Sequence, residues 1–345
     1  MNLGVVPPLP PMLGRLAREL PLGDYLYEPK WDGFRCLAFR DRAEVELQSR
    51  HGNPLTRYFP ELVEGLLALE EPRLGLDGEV VAIDSDFAAL LARLHPAASR
   101  VEKLRLETPA AFVAFDLLAL GDRSLLGFPF AARRRRLELA LEAAAPPIFL
   151  TPATTDPDEA ARWFDQFEGV VAKPSDISYE PGKRALTKVK RRRTADCVVG
   201  GFRWRVDPPL PSSLLLAVYG DDDVLQHVGV AASFGVGQAE ELLERLRPHV
   251  TSLAGHPWEQ GFLVGGGALG RLRGAAGRWT PEMTMDWTPV EPVLVAEVGY
   301  DQLDGDRLRH PARFLRWRLD REPRSCTFDQ FGEPSARPAQ LLATA

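Results

Sequence analysis

Short apolar runs, several alternating with polar positions, set the pattern of the first half of the chain. Residues 24–40 and 43–50 read as strands with turns between them, and 71–83 ends in another. AFVAFDLLAL (111–120) is almost wholly apolar and reads as a buried strand that turns at Gly121-Asp122. Helical spacing replaces alternation in 86–94, 130–145 and 156–167. Pro146-Pro147 stop the second of these, and Asp156 is placed as the N-cap of the third. Residues 168–174 and 185–191 return to strand. The proline-rich stretch 7–22 predicts an irregular arm.

Past about 194 the pattern changes. ADCVVGGFRW, SLLLAVYG, VLQHVGVAA and EPVLVAEVGY read as strands, interrupted by one clear helix over 237–247. Short strands around a single helix suit a small Greek-key barrel such as an OB-fold. The expected division is therefore 1–193 and 194–345, in an α+β chain. Its 345 residues, 45% hydrophobic, suffice for two separate cores.

Composition narrows the function classes. No apolar run approaches the roughly 18 residues of a membrane span, and MNLGVVPPLPPMLGRL does not read as a signal peptide. A cytoplasmic protein is expected. Cys36, Cys197 and Cys326 include no CxxC, so neither a disulfide framework nor a zinc site is suggested. Cys36 and Cys197, in apolar runs, read as buried packing residues. The net charge of −6 argues mildly against a polyanionic partner, but its distribution does not. Residues 183–193 carry seven Lys or Arg and no acid, and 307–324 carry seven Arg against two acids. Two such stripes fit phosphate contacts at defined places. The Arg133–Arg136 run, by contrast, reads as a surface feature of its helix.

The candidate chemistry lies in an ordered set of motifs. Glu28-Pro29-Lys30-Trp31-Asp32-Gly33-Phe34-Arg35 comes first; a bare KxDG is common by chance. Ser49-Arg50-His51-Gly52, Leu76-Asp77-Gly78-Glu79, FVAFDL (112–117), Glu168-Gly169-Val170-Val171-Ala172-Lys173 and Lys188-Val189-Lys190 follow in order. RHPARFLRWRLDR (309–321) closes the series, preceded by PVEPVLVAEVGY (289–300).

This set resembles the covalent nucleotidyltransferase superfamily of DNA ligases, RNA ligases and capping enzymes. The closing motif is most similar to ATP-dependent DNA ligases of the small bacterial ligase C type. The resemblance implies a nucleotidyltransferase (adenylation) domain of antiparallel sheets and helices, followed by an OB-fold. It implies that Lys30 attacks the α-phosphate of ATP, forming lysyl-AMP, and that AMP passes to the 5′-phosphate of a nick before the 3′-hydroxyl displaces it. Attack needs a neutral amine, which neighbouring cations such as Lys188, Lys190 and a bound metal ion favour. By the same resemblance Glu28 recognises adenine, Phe115 stacks on it, and Arg35 and Glu79 contact the ribose. Arg50 lies near the ribose or the nick phosphate. Lys188 and Lys190 hold the α-phosphate, and Glu168, with Glu79, binds Mg²⁺ or Mn²⁺. Arg316, Arg318 and Asp320 orient pyrophosphate. The series ends in Asp320-Arg321 where DNA ligases often have Asp-Lys, which puts the role of Arg321 in question. Expected partners are nicked duplex DNA and, beside it, a repair polymerase or end-binding protein, with the chain a monomer. RNA ligation or capping is the enzymatic alternative, and a non-catalytic OB-fold nucleic-acid binder the other.

Overall fold

In the computed structural model, which describes residues 1–85, 87–191, 193–259, 261–264, 268–270 and 287–331, the chain divides after Arg191 into two units. The first is built on two sheets. One holds β1 (Leu13–Ala17) and β2 (Tyr25–Pro29); the other holds β3 (Phe34–Asp41) and β4 (Glu44–Ser49). Helix α1 (Pro60–Ala68) leads to the long β5 (Arg73–Ala82). Helices α2 (Phe87–Ala92) and α3 (Ala98–Glu107) precede the longer β6 (Ala110–Leu120). Then come β7 (Arg123–Ser124), α4 (Phe130–Ala140), β8 (Ile148–Leu150), α5 (Pro157–Arg162), β9 (Gly169–Pro174) and β10 (Arg184–Lys190). The larger sheet runs β4-β3-β5-β6-β7 with β8 on β6; the smaller runs β1-β10-β9-β2.

Successive side chains of a strand point to opposite faces, and in β3 both faces are covered. Cys36 and Ala38 join a core with Phe59, Leu62 and Leu66 from α1 and its entry, while Leu37 and Phe39 pack with Met12 and Leu186 of the smaller sheet's strands and their flanks. β6 is treated likewise, with Phe112 and Ala114 on one side and Ala111 and Val113 on the other. Cover on both faces accounts for its near-continuous apolar run.

Several local expectations are revised. The arm over 7–22 contains β1, an edge strand paired parallel with β10, Arg15 beside Thr187 and Leu16 beside Lys188. Its partner is far off in sequence and two of its five positions are exposed, so alternation gives no sign of it. The helices over 130–145 and 156–167 end at Ala140 and Arg162, the latter continuing as a 3₁₀ turn, Trp163–Asp165. Asp156 does cap α5, accepting from the Asp158 amide at 2.8 Å. α1 and α3 bury only two residues each, too thin a stripe for periodicity to reveal. The Arg133–Arg136 run is not a surface feature throughout. Arg133 and Arg134 are buried, whereas Arg135 is exposed. The Arg133 guanidinium grips Asp116 through two bonds of 2.8 and 2.9 Å and also donates to the Ile177 carbonyl at 3.0 Å.

Among the described residues, the main path of the second unit's six-stranded antiparallel sheet runs through five strands, β13 (Leu225–Ala232), β12 (Pro211–Tyr219), β11 (Arg193–Trp204), Val295–Tyr300 and Arg313–Trp317, with the short Thr288–Pro289 also paired to β11. Helix α6 (Val236–Leu246) sets Leu242 and Leu246 into a core with Leu214 and Leu216, while Leu215 and Ala217 pack with Trp258 on the other face. Five antiparallel strands with one covering helix is the OB-fold plan. Cys36 and Cys197 are fully buried, as their apolar surroundings imply.

Removing Asp116 would strand the buried Arg133 charge. Asp116→Ala is expected to lower the unfolding free energy by about 3–5 kcal/mol. Urea denaturation would show this as a lower midpoint at unchanged slope; a loss under about 1 kcal/mol would mean the pair is dispensable.

Candidate nucleotide-binding site

A cavity of about 770 Å³ opens in the first unit, and Glu28, Lys30, Arg35, Arg50, Glu79, Phe115 and Lys188 all line it. Backbone geometry explains its first wall. β2 runs antiparallel to β9, and just past its end the Lys30 amide still donates to the Gly169 carbonyl at 2.8 Å. Trp31 is buried edge-on against Phe167, and its indole N–H donates to the Thr151 hydroxyl at 2.9 Å. A Cβ on Gly33 would stand 2.1 Å from the Val80 carbonyl oxygen, so only glycine lets β3 start there. Strand end, indole anchor and close backbone approach together fix the lysine side chain at the cavity.

Lys30 Nζ forms an ion pair with one oxygen of Glu168; Lys190 Nζ meets the other at 2.6 Å. Burial acts to raise the Glu168 pKa, but Lys30 and Lys190 together bring it down to about 2. Gly169, next in the chain, allows β9 to approach β10: a Cβ there would lie 2.1 Å from the Val189 carbonyl oxygen. Lys188 is half-buried. Burial, and then the charge of Lys30, lower its pKa. Gly14 of β1 leaves room for it, since a Cβ would come within 2.6 Å of its Cγ.

The opposite end holds Glu28, 2% exposed. Lys173 Nζ lies 2.6 Å from one carboxylate oxygen and Arg134 Nη1 3.3 Å from the other. Burial raises the Glu28 pKa and lowers that of Lys173. The Lys173 ammonium also donates to the Phe115 carbonyl at 2.9 Å and lies 4.6 Å from that ring's centre. Arg35 stands 4.4 Å from the same centre. Its guanidinium is fixed by Asp77 through bonds of 2.5 and 2.6 Å and by the Met12 carbonyl at 3.1 Å. Tyr179 donates to Asp77 at 2.6 Å. Asp77 is thus a buried support for Arg35 within β5. Glu79, two residues on and beside Arg35 across the strand pair, faces the cavity. Burial pushes its pKa up to about 7.

Glu168 and Lys190 join the cavity group through Lys30, while Arg50 forms an exposed part of its wall. Arg316, Arg318 and Asp320 belong to the second unit. There Arg318 binds Asp320 at 2.8 and 2.9 Å and Asp196 at 2.8 and 3.1 Å, and Arg316 binds Glu297 at 2.6 Å. Arg321 donates to the Ser325 carbonyl at 3.0 Å. Lys173, Arg134, Thr151 and Tyr179 had no individual role in the sequence reading. Lys173 stands inside a quoted motif and Arg134 inside the arginine run expected at the surface; Thr151 and Tyr179 carry no local pattern.

The family profile for the ATP dependent DNA ligase domain matches residues 12–190, and that for the ATP dependent DNA ligase C terminal region matches 209–321. The chain belongs to the ATP-dependent DNA ligases. It is 48% identical to DNA ligase C2 of Mycolicibacterium smegmatis, over 97% of each chain. It is 46% identical to DNA ligase C of Mycobacterium tuberculosis, over 97% of this chain and 96% of that one. It is also 32% identical to a multifunctional non-homologous end joining DNA repair protein, LigD, of M. tuberculosis, over 91% of this chain but 39% of the relative. This ligase is therefore of the bacterial ligase C type, a nucleotidyltransferase domain followed by an OB-fold, and it uses ATP and acts on DNA. Among its described residues no helix is long and apolar enough to cross a membrane.

The raised Glu79 pKa has a measurable consequence in the ligase without nucleotide. Between about pH 4.5, the unfolded value, and about 7, the folded chain keeps a proton on Glu79 that the unfolded chain has released. Stability therefore falls as pH rises through that window. Relative to Glu79→Gln, the wild type is expected to lose a few kcal/mol, about 1.4 for each pH unit of the interval. Urea titrations of both proteins at pH 5 and 8, with chelator present, check this; parallel losses would remove Glu79 as the cause.

Proposed function

We propose that this ligase carries AMP on Lys30 and seals 5′-phosphate/3′-hydroxyl nicks in duplex DNA during repair. The observation that carries the reading is the setting of Lys30: on a cavity wall, against Glu168, with Lys188 and Lys190 close by. The Lys30 amine attacks the α-phosphorus of ATP, the bond to the β-phosphate oxygen breaks, and pyrophosphate leaves. Lys188 and Lys190 face the negative charge that builds on the transferring phosphoryl oxygens. The 5′-phosphate of the nick then takes AMP from Lys30, and the 3′-hydroxyl attacks that phosphate and releases AMP. Positioning and charge neutralisation supply most of the acceleration in such transfers.

At the other end of the cavity Glu28 reads the adenine amine, the Phe115 ring offers a stacking face, and Arg35 and Glu79 meet the ribose. Arg50, exposed on the wall, serves the ribose or the nick phosphate. Arg316, Arg318 and Asp320 of the OB-fold unit orient pyrophosphate in the first step. A hard divalent cation, Mg²⁺ or Mn²⁺, fits the oxygen donors offered by Glu168, Glu79 and the nucleotide phosphates. When bound it polarises the phosphoryl group and offsets its charge. The LigD relative, named a non-homologous end joining DNA repair protein, supports the repair role; a repair polymerase or end-binding protein is the partner proposed beside it.

Incubation with α-labelled ATP and Mg²⁺ is expected to label the denatured wild-type protein and leave Lys30→Ala unlabelled. Unlabelled protein in every case, after pre-adenylated enzyme had been ruled out with pyrophosphate, would sink this reading. Lys188→Ala is expected to slow self-adenylylation by about 100-fold or more. A slowing of less than about threefold in single-turnover labelling would remove Lys188 from the phosphate site.

A further inference from the structure

Arg134 comes from helix α4, outside every motif that identifies the ligase, yet it is buried and directed at the base end of the cavity. We propose that Arg134 is a positioning residue for base selection, holding the Glu28 carboxylate in the orientation that reads the exocyclic amine of adenine. The proposal rests on the reading that Glu28 contacts the base.

The guanidinium is anchored at three points. Nε donates to Glu138 at 2.7 Å, Nη2 to the Thr151 carbonyl at 2.8 Å, and Nη1 meets Glu28 at 3.3 Å. Lys173 already takes one Glu28 oxygen at 2.6 Å. Held by one cation, a carboxylate can still swing about its terminal torsion, which is broad. Held at both oxygens, by groups on β9 and α4, its plane is fixed. The anchor also reaches the nucleophile's flank, because the Thr151 hydroxyl holds the indole of Trp31, the residue after Lys30.

The charges facing Glu28 are Lys173 from β9, Arg134 from α4 and, more distantly, Asp116 from β6. Burial raises the Glu28 pKa, and the two cations held against its oxygens work against that shift, favouring the ionised, acceptor-only form. Such a group satisfies a 6-amino purine and opposes a 6-keto purine, which would set acceptor against acceptor. Polar groups left without their partner make this kind of discrimination large.

The test is self-adenylylation with ATP, ITP (a 6-keto purine) and purine riboside triphosphate, which lacks the amine. Arg134→Met is expected to raise KM for ATP about tenfold, the loss of one charge-assisted contact, with kcat little changed. The preference for ATP over both analogues should shrink in proportion, and Arg134→Lys should recover part of it. A general structural defect would lower kcat for all three nucleotides without altering the preference. If Glu28→Gln lowers the preference but Arg134→Met leaves it intact, the proposal is overturned while the base-reading role of Glu28 stands. If neither changes it, that role itself falls. Should Arg134→Met fail to fold, Glu138→Ala decides together with Arg134→Lys. Glu138 is half exposed and frees only Nε, so a smaller loss of preference is expected, and an unchanged preference in both variants overturns the proposal.

Discussion

A carboxylate taken out of water costs several kcal/mol unless cations meet it in good geometry, and the nucleotidyltransferase unit depends on satisfying that condition repeatedly around one cavity. Glu28 is met by Lys173 and Arg134, Asp77 by Arg35, Asp116 by Arg133, and Glu168 by Lys30 and Lys190. Each match ties two or three elements together. Glu28 joins β2 to β9 and α4; Asp77 joins β5 to β3; Asp116 joins β6 to α4. The apolar cores on either side of β3 and β6 bring the sheets together, but these pairs determine where the functional groups stop. The same charges that would be unfavourable alone become a rigid frame.

The frame also explains how much of the protein could be read from its sequence. Strands with a buried face, the caps and the ordered motifs are local signals, so β5, β6, β9, β10 and the candidate site residues were legible. The cavity gathers Glu28, Lys30, Arg35, Arg50, Glu79, Phe115 and Lys188 from positions up to 160 residues apart. What the sequence hid depends on distant partners. Arg133 and Arg134 look like a solvated run because neither Asp116 nor Glu28 is near them in the chain. β1 looks like an irregular arm because its partner is β10. α1 and α3 bury two side chains each, which leaves no periodic stripe.

The motif glycines show a further limit of local reading. Gly33 and Gly169 sit where β3 and β9 start, and each faces a carbonyl oxygen 2.1 Å from where a Cβ would be. The spacing of the motifs reveals that glycine occurs there. Only the packed backbone reveals that the requirement is steric: Gly33, three residues after Lys30, lets the chain approach β5, and Gly169, next to Glu168, lets β9 approach β10.

Two carboxylates of this site are driven in opposite directions, and that separates their proposed roles. Glu168 lies between two ammonium groups and is held near 2; Glu79 is partly buried beside Arg35, already committed to Asp77, and is pushed up to about 7. Pairs of acids whose surroundings part their pKa values mark different tasks. Glu168 stays anionic at neutral pH and suits a group that must hold cations, first the lysines and then a metal. Glu79 shares its proton near neutrality, so it can donate to or accept from a ribose hydroxyl without demanding a full counter-charge. Of the two, Glu168 is therefore the stronger candidate for the metal and Glu79 for the sugar. The distinction comes from where the fold delivers each acid, Glu79 from within β5 and Glu168 from just before β9, and both residues look alike in the sequence.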